Sequence, residues 1–309
     1  MQWYWIVLII FGAAALIAVI AAFYLFLLAF GQKRRQIDRI FRDREQDPSP
    51  LARMRFRTKD YMDALPNEKL TQIAKDGAVL SARFFPNGGT KKIAVLCHGW
   101  HSYPWWDFGK TFDIVYDGGF AVLAVSMRAQ GESGGRYITY GAKESEDLLG
   151  WIRILIERYG EDISIAIMGV SMGAATVCCA TGKPLPKQVK CAVSDCAFTS
   201  AKDQFKAASK GAFPISRYLG QGIARVLARI RYADTSPIEA VKRSETPTLF
   251  IHGDQDDFVP LSMLDSLYHA CACPDKDVWV SPGAVHAEAA MRNPEEYAAH
   301  VLPWLKAHL

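Results

Sequence analysis

The sequence predicts an α/β fold: a mainly parallel sheet with helices on both faces and a small helical cap, preceded by one N-terminal transmembrane helix. Three observations predict it. Apolar strand-like runs alternate with helical patterns along most of the chain, as a covered parallel sheet requires. One of those runs ends in Gly169-Val170-Ser171-Met172-Gly173 and passes straight into a small-residue helix. Trp3 to Phe30 is an unbroken apolar stretch.

That stretch contains no charged residue and no proline. It exceeds the roughly 20 residues a helix needs to cross the hydrocarbon core. Trp3, Tyr4 and Trp5 at one end, and Phe23, Tyr24 and Phe26 nearer the other, suit the two membrane interfaces. A cleaved signal peptide would want a basic start, a shorter apolar core and a small-residue cleavage site after it. No Lys or Arg precedes the run, and its alanines (Ala13 to Ala15, Ala21 and Ala22) lie inside it. The expectation is a retained single-span membrane anchor over residues 1–31.

A basic juxtamembrane linker follows over residues 32–60. Residues 33–57 hold nine Lys or Arg against four Asp or Glu, a balance of +5 in a chain whose total is +4. Basicity is therefore confined to the flank of the apolar run. Positive charge stays on the cytoplasmic side, which predicts a cytoplasmic catalytic domain and a short N-terminus outside. The segment can also rest on anionic headgroups, and Asp47-Pro48-Ser49-Pro50 should break any helix in it. Basic residues beside a membrane span argue against nucleic-acid binding.

The remaining stretch, about 250 residues, is long enough for one domain with a real core. Ile93 to Cys97 reads as a buried strand, followed by His98-Gly99-Trp100-His101. Trp100, Tyr103, Trp105 and Trp106 wall an apolar pocket or pack beneath a loop. Leu148, Ile152, Leu155, Ile156 and Tyr159 recur at helical spacing, so residues 142–159 should form a sheet-covering helix. Ile163 to Met168 is the strand that delivers the Gly-x-Ser-x-Gly turn. Flanking glycines let the chain reverse sharply, so the Ser171 hydroxyl stands above the sheet edge and the amide after it faces a developing oxyanion. A serine hydroxyl is a poor nucleophile until an imidazole takes its proton and a carboxylate orients that imidazole. Those partners occur further on, each on a loop after a strand. Thr248 to His252 leads into Gly253-Asp254-Gln255-Asp256-Asp257, and Val278 to Val280 leads into Ser281-Pro282-Gly283-Ala284-Val285-His286. Chemistry alone does not separate Asp254, Asp256 and Asp257; each can also cap the following turn. Asp195, after another strand, is a further candidate.

Residues 61–309 resemble the α/β-hydrolase superfamily, near its membrane-anchored esterase and serine-aminopeptidase-like branches. Ile251-His252-Gly253-Asp254-Gln255-Asp256-Asp257-Phe258-Val259-Pro260 is similar to the family's His-Gly-x-x-Asp-x-x-Val-Pro signature, and His286-Ala287-Glu288 to its histidine loop. The resemblance implies a triad of Ser171, Asp256 and His286. It also implies an oxyanion hole from the amides of Trp100, in a family-like His-Gly-x loop, and Met172. Ser126 to Gly135 is similar to a third family segment, with Ser126 where Asp is usual and Ala129 where Gly is usual. The variable cap falls at about residues 198–244, where Phe205, Phe213, Ile215, Tyr218, Ile223, Val226, Leu227 and Ile230 would form a small lid. Residues 202–231 carry seven basic side chains against one acidic.

The expected reaction is hydrolysis of a carboxylic ester, acyl lipids and thioesters included, through an acyl-enzyme on Ser171. A serine peptidase and a non-catalytic scaffold are the alternatives. No metal or organic cofactor is required, and the partners are a small-molecule or lipid ester and the membrane. Seven cysteines are an odd number; Cys97, Cys178, Cys179 and Cys191 fall in apolar contexts that suit reduced core thiols. The Cys271-Ala272-Cys273 spacing does not suit a zinc site.

Overall fold

The computed structural model describes residues 3–211 and 214–309, without the side chains of residues 34, 35 and 214–217. The chain opens with three helices, α1 (Trp3–Phe30), α2 (Arg34–Arg44) and α3 (Pro50–Ala64). Strands β1 (Glu68–Ile73), β2 (Val79–Phe85) and β3 (Lys92–Cys97) follow, then α4 (Pro104–Asp107), α5 (Gly109–Asp117) and β4 (Ala121–Val125). Next come α6 (Glu144–Tyr159), β5 (Ser164–Val170), α7 (Met172–Thr181) and β6 (Val189–Asp195). The cap holds α8 (Ala201–Ala208), α9 (Pro214–Ile223), a π-helical turn (Ala224–Ala228) and α10 (Pro237–Val241). The chain finishes with β7 (Thr248–Gly253), α11 (Ser262–Ala270), β8 (Lys276–Ser281), α12 (Ala289–Arg292) and α13 (Pro294–His308).

The strands form one eight-stranded sheet in the order β1-β2-β4-β3-β5-β6-β7-β8. β1 and β2 pair antiparallel, as do β2 and β4; every later pairing is parallel. The central strands are apolar on both faces because helices cover both. Val95, Leu123, Ile165 and Ile167 pack on one side with Leu148, Ile152 and Leu155 of α6. Leu96, Val122, Met168 and Val193 pack on the other with Phe112 of α5 and Tyr297 of α13. Residues 142–159, read as one helix from spacing, correspond to α6, which begins two residues later after Glu144 accepts hydrogen bonds from the Thr139 and Gly141 amides.

The N-terminal region departs from a picture of separate anchor, linker and domain. α1 is a helix over the whole apolar run, long and apolar enough to cross a membrane. Its last turns, however, are docked on the hydrolase fold: Ala22, Phe26 and Phe30 are buried. The chain breaks between α2 and α3 at the Pro-Ser-Pro segment, with Ser49 capping α3 through the Ala52 amide. α3 packs on the domain through buried Ala52, Thr58 and Met62, so the covering layer begins near Pro50. All seven cysteines are buried and free.

In the cap, Phe205, Ile223 and Ile230 join the core. Tyr218, Val226 and Leu227, also expected to form the lid, point to the outside. Phe213 and the side chain of Ile215 lie outside the described residues.

Candidate active site

β5 delivers Ser171 into a turn with φ 56° and ψ −117°, a backbone conformation that side-chain-bearing residues rarely adopt. Two glycines make it possible. A Cβ on Gly173 would sit 1.7 Å from the Cys97 carbonyl oxygen, and one on Gly169 would sit 2.3 Å from the Gly173 carbonyl carbon. Helix α7 can therefore press directly onto β3 and β5. Ser171 is anchored from the next strand, its amide donating to the Asp195 carbonyl at 2.8 Å.

The loops after β7 and β8 bring two more side chains to this turn. Ser171 Oγ lies 2.8 Å from His286 Nε2, and His286 Nδ1 lies 2.7 Å from Asp256 Oδ2. With an acceptor carboxylate on Nδ1, the neutral ring carries its proton there and leaves Nε2 free to accept from the hydroxyl. Asp256 Oδ1 accepts from the Phe258 and Val259 amides at 3.0 and 2.8 Å. Asp254 instead accepts from the Gly283 amide at 2.7 Å, bracing the histidine loop, and Asp257 is exposed. Burial alone would raise the Asp256 carboxyl. Hydrogen bonds from His252 and His286 outweigh it and hold the group below the usual carboxylate range.

His252 is a partner that the sequence did not single out. It is fully buried, donates from Nε2 to the Val259 carbonyl at 2.9 Å, and lies 3.3 Å from Asp256 Oδ2. Burial disfavours its charge, but the bonds to Asp256 and Val259 prevail and shift it upward. Asp195 stands behind these groups rather than against His286. Its Oδ1 has no hydrogen-bond partner among the described residues, and burial pushes the carboxyl up to about 6.

Cys196 Sγ lies within 4.8 Å of ligand atoms of Asp256 and His286. Such a trio could in principle hold a metal. Burial raises this thiol well above its ordinary range, so it meets the site as a neutral packing group rather than a thiolate.

The loop after β3 faces Ser171 from the other side. Neither the Trp100 nor the Met172 amide is spent on a protein acceptor among the described residues. The Gly99 amide is occupied: it donates to Asp107 Oδ2 at 2.6 Å, while Asp107 Oδ1 accepts from the Ser102 hydroxyl at 2.6 Å. Asp107, on the short helix α4, thus sets the loop that presents Trp100; no motif marked it. His98 supports the same loop from beneath, accepting from the Met127 amide at 3.0 Å. The aromatic run divides between its two expected uses. Trp100 lines the cleft, whereas Trp105 and Trp106 pack with Phe41 of α2 and Phe56 of α3. The segment Ser126 to Gly135 is structural: Arg128 is buried in a two-pronged pair with Asp147 at 2.6 and 2.7 Å.

Above Ser171 opens a cleft of about 380 Å³, with walls of Leu25, Leu28, Trp100, Phe198, Phe205 and Phe258. A strained serine, a hydrogen-bonded imidazole and carboxylate, two free amides and an apolar cleft together suit acyl transfer.

A family model described as the prolyl oligopeptidase family matches residues 106–309, most of the chain. The chain belongs to the prolyl oligopeptidase family. This α/β-hydrolase match takes in Ser171, Asp256 and His286 and begins after the Trp100 loop. Among curated proteins, the uncharacterized protein YqkD of Bacillus subtilis is 26% identical over 220 residues, covering 70% of this chain and 72% of its own. Among solved structures, an esterase of Pyrococcus furiosus superposes with a TM-score of 0.66 at 25% identity, covering 81% of this chain and 95% of its own. The esterase domain of a Rhodothermus marinus protein superposes at 0.55 and 19% identity, covering 77% and 99%, a likeness of fold.

Proposed function

We propose that this hydrolase is a serine-dependent esterase cleaving carboxylic esters with an apolar acyl group. The observation that carries the reading is the unbroken hydrogen-bonded line Ser171–His286–Asp256 at the floor of an apolar cleft. Ser171 Oγ attacks the ester carbonyl as its proton passes to His286 Nε2. Asp256, kept ionised, stabilises the imidazolium. The amides of Trp100 and Met172 donate to the oxyanion. Collapse breaks the bond to the alcohol oxygen, which takes the proton from His286 and leaves. A water then attacks the acyl-enzyme, giving its proton to His286; the carboxylic acid departs and the proton returns to Ser171.

The family name raises a peptidase as the second reading. An aminopeptidase needs a carboxylate in the cleft to bind the substrate's α-amine. Among the described lining residues the one charged group is Lys33, of the wrong sign. An apolar cleft without an acidic anchor favours an ester. The esterase named among the structural neighbours supports the same choice. The reading includes α1 as a retained membrane span, with the basic flank keeping the catalytic domain on the cytoplasmic side; protease protection in sealed vesicles reads that orientation.

The deciding experiment is labelling of the detergent-solubilised chain with a fluorophosphonate probe, beside hydrolysis of short- to long-chain acyl esters. Labelling of wild type that disappears in Ser171→Ala and His286→Ala supports the reading. A folded wild type that neither labels nor turns over any ester overturns it.

A further inference from the structure

The helix expected only to tether the enzyme forms part of its cleft. Leu25, Leu28 and Ala29 of α1 line the same cavity as Ser171 and Met172. The contact is built, not incidental. The Ala29 carbonyl accepts from both Trp100 Nε1 and the Tyr140 hydroxyl, each at 2.8 Å. The Phe30 carbonyl accepts from the Ile138 amide at 2.8 Å. The Phe30 ring packs against Tyr140, Phe205 and Tyr232. Trp100, whose amide the esterase reading assigns to the oxyanion, is thus tied through its indole to the end of α1.

We propose, building on the esterase reading, that the cleft takes the acyl chain of a lipid ester directly from the bilayer along α1. The helix sets the depth of the site. Residues 3–21, nearly all exposed, would extend roughly 28 Å at helical rise, close to the roughly 30 Å hydrocarbon core. Docking begins where that length ends, at buried Ala22. Leu25 and Leu28 then stand about 3 to 8 Å beyond the core, within the headgroup layer, with the serine beside them. Leu25 is 41% exposed, so one wall of the cleft continues onto the lipid-facing side of the helix.

The cap carries a second feature at the same level. α9 packs along α1, and the turn after it shares the apolar cluster of Phe26 and Phe30 through Ala224 and Ala228. This element turns Tyr218 (74% exposed), Val226 (73%) and Leu227 (40%) outward, with Arg225 and Arg229 exposed beside them. Aromatic and aliphatic side chains interleaved with arginine suit a headgroup layer, where rings and aliphatics reach the acyl boundary and cations meet phosphate. Such a surface would be costly in water, and its place beside a membrane helix commits it to the bilayer. A lipid ester leaving the leaflet there meets apolar surface along its path to Ser171.

The test uses the full chain reconstituted in phospholipid vesicles. A non-exchanging diacyl lipid ester with a fluorogenic acyl group is placed either in the same vesicles or in separate protein-free ones. Hydrolysis at least about tenfold faster in the same vesicles is expected; equal rates overturn the proposal. In parallel, Leu28→Trp and Leu25→Trp narrow the cleft from the α1 side. Each should lower the ratio of kcat/KM for a palmitoyl ester to that for an acetyl ester by roughly tenfold. Unchanged ratios in folded variants that label with fluorophosphonate overturn it as well. The vesicle comparison needs no variant and holds if one fails to fold. Failure of the underlying reading looks different: wild type would turn over neither ester and Ser171 would not label. Acetyl ester turnover with equal vesicle rates rejects bilayer delivery alone.

Discussion

Asp107 Oδ2 accepts a hydrogen bond from the Gly99 amide at 2.6 Å, which takes that amide out of use in the loop beside Ser171. Gly99 is held so close that a Cβ there would lie 2.9 Å from the same carboxylate oxygen and 3.3 Å from Ser171 Cβ. With Gly99 occupied, the proposed mechanism draws its loop donor from the next amide, that of Trp100. Asp107→Ala should therefore lower kcat by roughly tenfold to a hundredfold with a smaller change in KM, because a misplaced donor is lost mainly in the transition state. Asp107→Asn keeps an acceptor and should recover much of the loss. Steady-state kinetics on one ester decide it, and a KM effect without a kcat effect would assign Asp107 to binding.

The carboxylate that orients His286 is itself held by His252 and two amides. Asp256→Asn should lower kcat by about 10⁴, since an amide cannot fix the Nδ1–H tautomer or balance the imidazolium. Asp254→Asn removes a brace rather than the orienting group and should cost far less, within about tenfold. Comparing both variants with Ser171→Ala separates Asp256 from Asp254 on the same loop. Equal losses in Asp254→Asn and Asp256→Asn would reject the assignment.

Burial of Asp195 makes a pH-dependent contribution to stability of the opposite sign to a paired carboxylate. Its carboxyl is pushed up to about 6 by burial and by the nearby Asp256 charge, against the pull of His252 and His286. Between about pH 4 and pH 6 the folded chain holds a proton that the unfolded chain has released. The contribution is thus full below the ordinary carboxylate range and lost as pH rises through about 6. Asp195→Asn should match wild type near pH 4 and exceed it near pH 7 by up to about 3 kcal/mol. Denaturant unfolding at the two pH values checks the slope; a variant less stable at both would show that contacts of the carboxyl outweigh its burial.

The convergence of Ser171 with a later aspartate and histidine is legible in the chain because each sits where a strand must end. Gly169 and Gly173 are demanded by backbone contact, so the turn announces itself locally. The choice among Asp254, Asp256 and Asp257 is not legible from chemistry alone, since it depends on which carboxylate the loop folds over the Phe258 and Val259 amides; the family signature is what singles out Asp256. Asp107 and His252 act through contacts made only after loops close; Asp107 carries no motif, and His252 lies in the His-Gly signature without its contact to Asp256 being readable there. The parallel sheet was readable from its apolar strands. The outward turn of Tyr218 and Val226 was not, because hydrophobicity alone does not say whether a side chain packs inward or stays exposed. α1 is the sharpest case: it is apolar enough throughout to cross a membrane, while Phe26 and Phe30 spend the same apolar character on the hydrolase core.

That division within α1 can be measured. Phe30 is 2% exposed and packs with Phe26, Tyr140, Phe205 and Tyr232, so truncating it leaves a cavity under the cleft wall. Phe30→Ala should destabilise the catalytic domain by about 3 kcal/mol or more. Ile9, 61% exposed on the same helix, is mostly uncovered by protein, and Ile9→Ala should stay within about 0.5 kcal/mol. The readout is the temperature at which the full chain in detergent loses fluorophosphonate labelling. A large fall for Phe30→Ala alone means that the last turns of α1 fold as part of the enzyme. Equal, negligible shifts would make α1 a tether that merely lies nearby.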